Sequence, residues 1–154
     1  MSKGIFWFRR DLRLSDHPAL ERACQSHDAL LLVYVDAAAG QAHDASRAWL
    51  RRSLELLGED ILQRGGELHV LGGDPETLIP ALARAADAAA VHISALHEPD
   101  ADARDARIAA TLASHGIAMR RAGGRLMTDA DAVLTQSSTP FRVFTPFHKM
   151  ARPT

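Results

Sequence analysis

The sequence predicts an α/β domain in three layers, a five-stranded parallel sheet with helices on both faces. Two observations carry that prediction. Short apolar runs alternate with longer amphipathic stretches in a regular order along the chain, the pattern of repeated strand, helix, strand units with right-handed crossovers. The second run, Ala29 to Val35, is continuously apolar rather than alternating, as a strand covered on both faces must be.

The elements come in order. Ile5-Phe6-Trp7-Phe8 is the first strand, and it runs without a break into Arg9, Arg10, Asp11 and Arg13. Pro18 to Ser26 has helical spacing and leads to the second strand. In the longest helix, Ser46 to Gln63, Trp49, Leu50, Ser53, Leu54, Leu57, Ile61 and Leu62 return to one face at three- and four-residue intervals, while Arg51, Arg52, Glu55 and Glu59 take the other. Trp49, Cys24 and Met119 are each expected to be core filler. Gly65-Gly66 stops that helix before the third strand, Glu67 to Gly73. Asp74-Pro75 supplies an N-cap and a proline at the first helical position, opening a helix over Pro75 to Ala86. Ala89 to Leu96 is the fourth strand, Asp102 to Ser114 a helix stopped by Gly116, and Gly116 to Ala122 a weaker fifth strand. From Gly123 onward the chain carries glycine, serine, threonine and three prolines around the short apolar piece FRVF. It reads as a meandering segment leaving the domain, with no helix or strand of its own.

Composition narrows the function classes. With 154 residues the chain makes one domain's worth of core. Eighteen basic against nineteen acidic residues leave a net charge of −1, so no field over the whole surface draws it onto nucleic acid or anionic lipid. One cysteine and eight scattered histidines offer neither a disulfide framework nor metal-ligand spacing. No apolar run approaches the ~18 residues of a membrane span and no secretory pattern opens the chain, which points to the cytoplasm.

In such a sheet, ligands bind beyond the carboxyl ends of the strands, where strand order reverses. The segments to search are therefore Arg9 to Asp16, Asp36 to Arg47, Gly72 to Asp74 and His97 to Arg104. The first lacks the glycines of a dinucleotide fingerprint, and no P-loop or nucleophile elbow occurs anywhere. GGDPET is a tight turn before a capped helix. No catalytic constellation emerges. On spacing alone, Asp11 pairs with an arginine and caps the turn while the other opening charges are solvated.

Five motifs taken together are similar to those of one family. WFRRDLRLSDHPAL (Trp7 to Leu20), VYVD (Val33 to Asp36), SRAWLRRSLELL (Ser46 to Leu57), Glu98-Pro99 with ARDARI after it (Ala103 to Ile108), and FRVFTPFHKM (Phe141 to Met150) resemble, in order and spacing, the N-terminal domain of DNA photolyases and cryptochromes. The resemblance implies a Rossmann-like antenna domain over 1–135 and the start of an interdomain linker over 136–154. It implies an antenna pigment, a deazaflavin, a folate or a flavin, with FAD in a helical C-terminal domain through which damaged DNA would be met. Tyr34, Val35 and Asp36 then correspond to a wall of the pigment pocket, Arg47 to an arginine that approaches the pigment, and Glu98 and Asp100 to carboxylates on its ring. Arg9, Asp11 and Arg13 correspond to a turn braced against the helical domain.

The module would take part in light-driven DNA repair as a lyase in its full form, lacking repair activity alone. The alternative is a cryptochrome-type signalling or interaction module on the same fold, and a nucleotide-binding domain unrelated to light is the third reading. Two departures stand out. His17 occupies a position where asparagine is usual and caps less well. Asp100-Ala101 does not reproduce the Asn-Glu pair of folate-binding relatives.

Overall fold

A computed structural model describes residues 1–38, 45–123 and 133–151. By its internal contacts the chain divides into two units, Met1–Gly124 and Arg125–Thr154. In the first, strands β1 (Lys3–Phe8), β2 (Ala29–Asp36), β3 (Leu68–Gly72), β4 (Ala90–Ser94) and β5 (Ala118–Ala122) alternate with helices α1 (Pro18–Ser26), α2 (Ala45–Leu62), α3 (Pro75–Ala85) and α4 (Pro99–Ala113). The strands pair in parallel in the order β3-β2-β1-β4-β5. This is the Rossmann-like sheet the alternation predicts. Its order reverses between β1 and β4, and that reversal places the crevice.

β1 is a wall shared by two cores, because successive side chains of a strand point to opposite faces. Ile5 and Trp7 pack with Val33, Val91 and Ile93 against Ile79 and Ala83 of α3 and Ile108 and Leu112 of α4. Phe6 and Phe8 face the other way, against Ala19, Leu20 and Ala23 of α1 and Leu57 and Ile61 of α2. Helices therefore cover both faces, two on each. Gly4, at the start of this strand, sits where a Cβ would come within 2.5 Å of the His27 ring. That ring is tied on both sides, by Ser2 Oγ at 2.8 Å and His92 Nε2 at 2.9 Å. Gly4→Ala is accordingly expected to cost about 1–3 kcal/mol by overpacking, read as a lowered urea midpoint at an unchanged m value.

Helix starts obey local chemistry. Asp74 accepts from the Glu76 amide at 3.1 Å, the capping that Asp74-Pro75 predicts. His17 caps α1 with Nδ1, accepting from the Leu20 amide at 3.4 Å. α4 begins at Pro99, three residues before the expected Asp102, because a proline at N1 forgoes only a donor that has no intrahelical partner anyway.

Three expected core residues lie outside. Trp49 is 75% exposed and Leu62 70%, leaving Leu57 and Ile61 as the buried stripe of α2. The helix spans roughly 27 Å over a five-residue strand of roughly 17 Å, so its apolar face outruns the sheet at the Trp49 end, while Leu62 is turned about 100° away from its buried neighbour Ile61. Cys24 is exposed, since α1 turns Ala19, Leu20 and Ala23 inward and the next residue is rotated away. Met119 does pack, partly buried, against the core.

In the second unit, Leu134 bridges Pro140 antiparallel, and Phe144–Ala151 forms a helix, α5, where the sequence suggested none. Pro146 lies within its first turn, where the missing amide costs little, and Phe144 stacks on His148 four residues on, ring centroids 5.3 Å apart. Among the described residues no helix is long and apolar enough to cross a membrane.

Candidate functional site

A cleft of about 580 Å³ opens beyond the carboxyl ends of the strands beside the β1–β4 reversal. Trp7, Arg9 and Arg10 come to it from the end of β1, Tyr34 and Val35 from the end of β2, and Glu98, Asp100 and Arg104 from the loop after β4 and the first turns of α4. Four of the six residues assigned to the pocket from sequence, Tyr34, Val35, Glu98 and Asp100, thus meet around one space. Asp36 and Arg47 do not line it. They pair with each other at 2.6 Å, closing the end of β2 onto the start of α2, and the Arg47 guanidinium holds the Asp36 carboxyl below its ordinary range against a smaller opposing effect of burial. Burial, and then the Asp36 charge, push the Tyr34 hydroxyl up.

The charges just past β1 turn inward. Arg9 donates from one guanidinium nitrogen to both Asp105 oxygens, at 2.8 and 2.7 Å, and from the other to the Ser94 carbonyl. Asp11 accepts from Ser94 Oγ and, at 3.2 Å, from the Arg9 amide, and His17 Nε2 lies 3.0 Å away. Arg9, Asp11, His17 and Asp105 are all buried. Burial pushes the Asp11 carboxyl up, but His17, Ser94 and the Arg9 amide together outweigh it and bring it down to about 2. The expectation of solvated arginines is corrected here for Arg9. These groups tie the turn after β1 to the end of β4 and to α4, beyond the last β1–β4 pair, Phe6 with His92. Arg13 folds back on its own turn, donating to the Asp16 carbonyl at 2.9 and 3.2 Å. His17, weak as a cap by type, serves both the α1 amide and Asp11, and Phe6 and Phe8 pack edge-on to its ring.

Around the rim, charges alternate. Arg10 pairs with Glu98, and Arg107 grips Glu76 through two hydrogen bonds of 2.7 and 2.8 Å. α1 and α3 have side-chain caps, whereas Glu98, at the N-cap of α4, makes no capping hydrogen bond. The first-turn amides of α4 therefore lack the side-chain acceptor that the starts of α1 and α3 have, and Asp100 and Ala101 of that turn line the cleft. Arg9 Nε and Arg104 Nε, both buried, have no hydrogen-bond partner among the described residues.

Such a cleft suits a planar polar ligand. Its volume lies in the range of small-molecule sites, it has an aromatic wall, and it offers amide and guanidinium donors to an acceptor edge and carboxylates to N–H groups. Among the described residues no three His, Cys, Asp or Glu side chains gather as a metal site. Sequence reasoning put Arg104 and Asp105 at the ligand-binding edge without giving them a role there, and missed Trp7 as part of this region. Arg104-Asp105 lie about one and a half helical turns past Pro99, on the helix that starts at the reversal.

Comparison with known proteins shows the family to which the chain belongs. The family model described as DNA photolyase matches residues 4–154. An uncharacterized 31.6 kDa protein of Synechococcus sp. strain PCC 6716 is 41% identical over 93% of this chain and 52% of its own length. A deoxyribodipyrimidine photo-lyase of Synechococcus sp. strain PCC 6301 is 38% identical over 94% of the chain and 31% of its own length. The crystal structure of a class III photolyase from Agrobacterium tumefaciens superposes with a TM-score of 0.87 at 32% identity, over 97% of this chain and 31% of that one. The chain thus spans about half the length of the first of these and about a third of the others. With nearly all of its residues inside the family model and its fold shared with a solved member, the chain belongs to the DNA photolyase family.

Proposed function

We propose that this chain is the light-harvesting antenna module of a deoxyribodipyrimidine photolyase and holds its pigment in the cleft at the β1–β4 reversal. The observation that carries the reading is the convergence of Tyr34, Val35, Glu98 and Asp100 on that one space. A bound deazaflavin, folate or flavin supplies light absorption and passes excitation on without contact, so the protein's task is position. Trp7 and Val35 offer apolar surface to a ring. The amides of the α4 first turn and Arg104 donate to its acceptor edge, and Glu98 and Asp100 accept from its N–H groups. Arg47, through Asp36, fixes the neighbouring wall.

The same reading assigns FAD, contact with damaged DNA and repair itself to a helical domain beyond this chain, the whole acting in the cytoplasm. Arg9 and Asp11 serve the face toward that domain from within, by setting the shape of the turn that carries Arg13.

The test is titration of the chain with a deazaflavin, methenyltetrahydrofolate and FMN, monitored by pigment fluorescence. One of the three is expected to bind, and Glu98→Ala and Asp100→Ala are each expected to weaken it about tenfold, the loss of one hydrogen bond to a charged group. Wild-type affinity in both variants, or no binding of any pigment, sinks the assignment.

A further inference from the structure

One wall of the cleft has more charge against it than packing requires. Trp7 is 3% exposed, and two guanidinium groups lie over its ring, that of Arg9 at 5.2 Å and that of Arg104 at 5.3 Å from the ring centre. Arg9 comes from just past the strand of Trp7, two residues on, and Arg104 reaches in from α4. The two cations share a single close carboxylate, Asp105, at 2.7 Å from Arg9 and 3.5 Å from Arg104. Burial, and to a lesser degree Arg104, make the Arg9 charge harder to hold. The chain's other tryptophan, Trp49, is 75% exposed and has no such cation among the described residues.

Indole gives up an electron more readily than almost any other side chain, and one lying against a light-absorbing ring competes for its excitation. A cation over the indole face is attracted to the ring's electrons and opposes the positive charge that their loss would leave. We propose that Arg9 and Arg104 hold Trp7 against one-electron oxidation by an excited chromophore in the cleft, so that excitation leaves by transfer instead of being quenched at the indole. In the suppressed reaction one electron passes from the indole to the chromophore and Trp7 becomes a cation; no bond breaks and no other reactant is needed. The inference rests on the cleft being the pigment site.

The experiment uses Trp49→Phe chains, in which Trp7 is the sole tryptophan. Riboflavin is added as a soluble photo-oxidant, and the Trp7 radical is tracked by transient absorption after a flash. Arg104→Met, which keeps an unbranched stem and removes the charge, is expected to raise the radical yield about threefold or more. Arg104→Lys is expected to restore the low yield, and Arg104→Gln serves if the Met variant's urea midpoint has fallen. An unchanged yield in the uncharged variants overturns the proposal. With FMN held in the cleft, its fluorescence lifetime should shorten in Arg104→Met and recover when Trp7→Phe is added; a lifetime that stays short without Trp7 also overturns it. Absence of FMN, the deazaflavin and methenyltetrahydrofolate alike from every variant defeats the pigment-site reading instead, while the radical yield still decides whether the arginines shield the indole.

Discussion

Asp105→Ala is expected to lower the stability of the first unit by about 3–5 kcal/mol, because it leaves the Arg9 charge buried without its counter-ion. Arg9 is 7% exposed and Asp105 5%, and the carboxylate takes two hydrogen bonds from one guanidinium nitrogen. A loss of that size is a large part of the 5–15 kcal/mol that a domain has in total. Removing both charges should be far milder, since the cost lies in the orphaned cation more than in the missing attraction. Arg9→Met with Asp105→Leu is therefore expected to recover most of the loss. Urea midpoints at constant m value make the comparison. A deficit below about 1 kcal/mol for Asp105→Ala would mean that water reaches Arg9 and that the pair is an ordinary surface one.

The second large effect is acid lability, and it has two steps. His92 is buried on β4, with Nε2 2.9 Å from Nε2 of His27, so one ring donates and the other accepts. Burial first, then His27 and Arg120, bring His92 down to about 4 from an ordinary 6.5. The unfolded chain then takes this proton more readily than the folded one. Stability is full above pH 6.5, falls as the pH drops toward 4, and levels off below, with a loss of about 3 kcal/mol. Asp11, brought from 3.8 down to about 2, adds a second loss of about 2 kcal/mol between those two pH values. His92→Gln should abolish the upper step and leave the lower one. Thermal midpoints at pH 7, 5 and 3 separate them. A midpoint that does not move between pH 7 and 4.5 would show that His92 accepts its proton without penalty.

The order of elements was legible because each strand and helix announces its own period, and α1 begins where Pro18 says it must. The misreadings of burial on α2 come from periodicity, which reports a face without reporting what covers it. Trp49 was grouped with Leu57 and Ile61 by helical spacing, yet nothing among the described residues covers its end of the helix, and Leu62 is turned about 100° away from the buried Ile61. Pro99 carried a start signal as plain as that of Pro75, and setting the helix start at Asp102 overlooked it.

The candidate site was legible where a motif places a backbone element, as at Tyr34-Val35 and Glu98. It was opaque where function depends on partners distant in sequence. Nothing local says that Arg9 meets an aspartate 96 positions away, or that Asp11 and Ser94 close on each other over 83. His17 shows the same gap in miniature. Judged by residue type it is a poor cap, but its second ring nitrogen reaches Asp11, a gain that capping preference alone does not contain.

The shared wall formed by β1 acts on the gene as a reading frame acts on a codon. With Phe6 and Phe8 on one side and Ile5 and Trp7 on the other, gain or loss of a single residue inside Lys3–Phe8 would exchange the two sets at once. It would also move the Arg9 charge from the α4 side toward the Phe and His17 side. Length variation can therefore be absorbed only where the chain turns in the open, as at the exposed Gly65 after α2, where an added Cβ meets nothing within 4 Å. The strand that sets the cleft is also the one whose length the lineage can least afford to change.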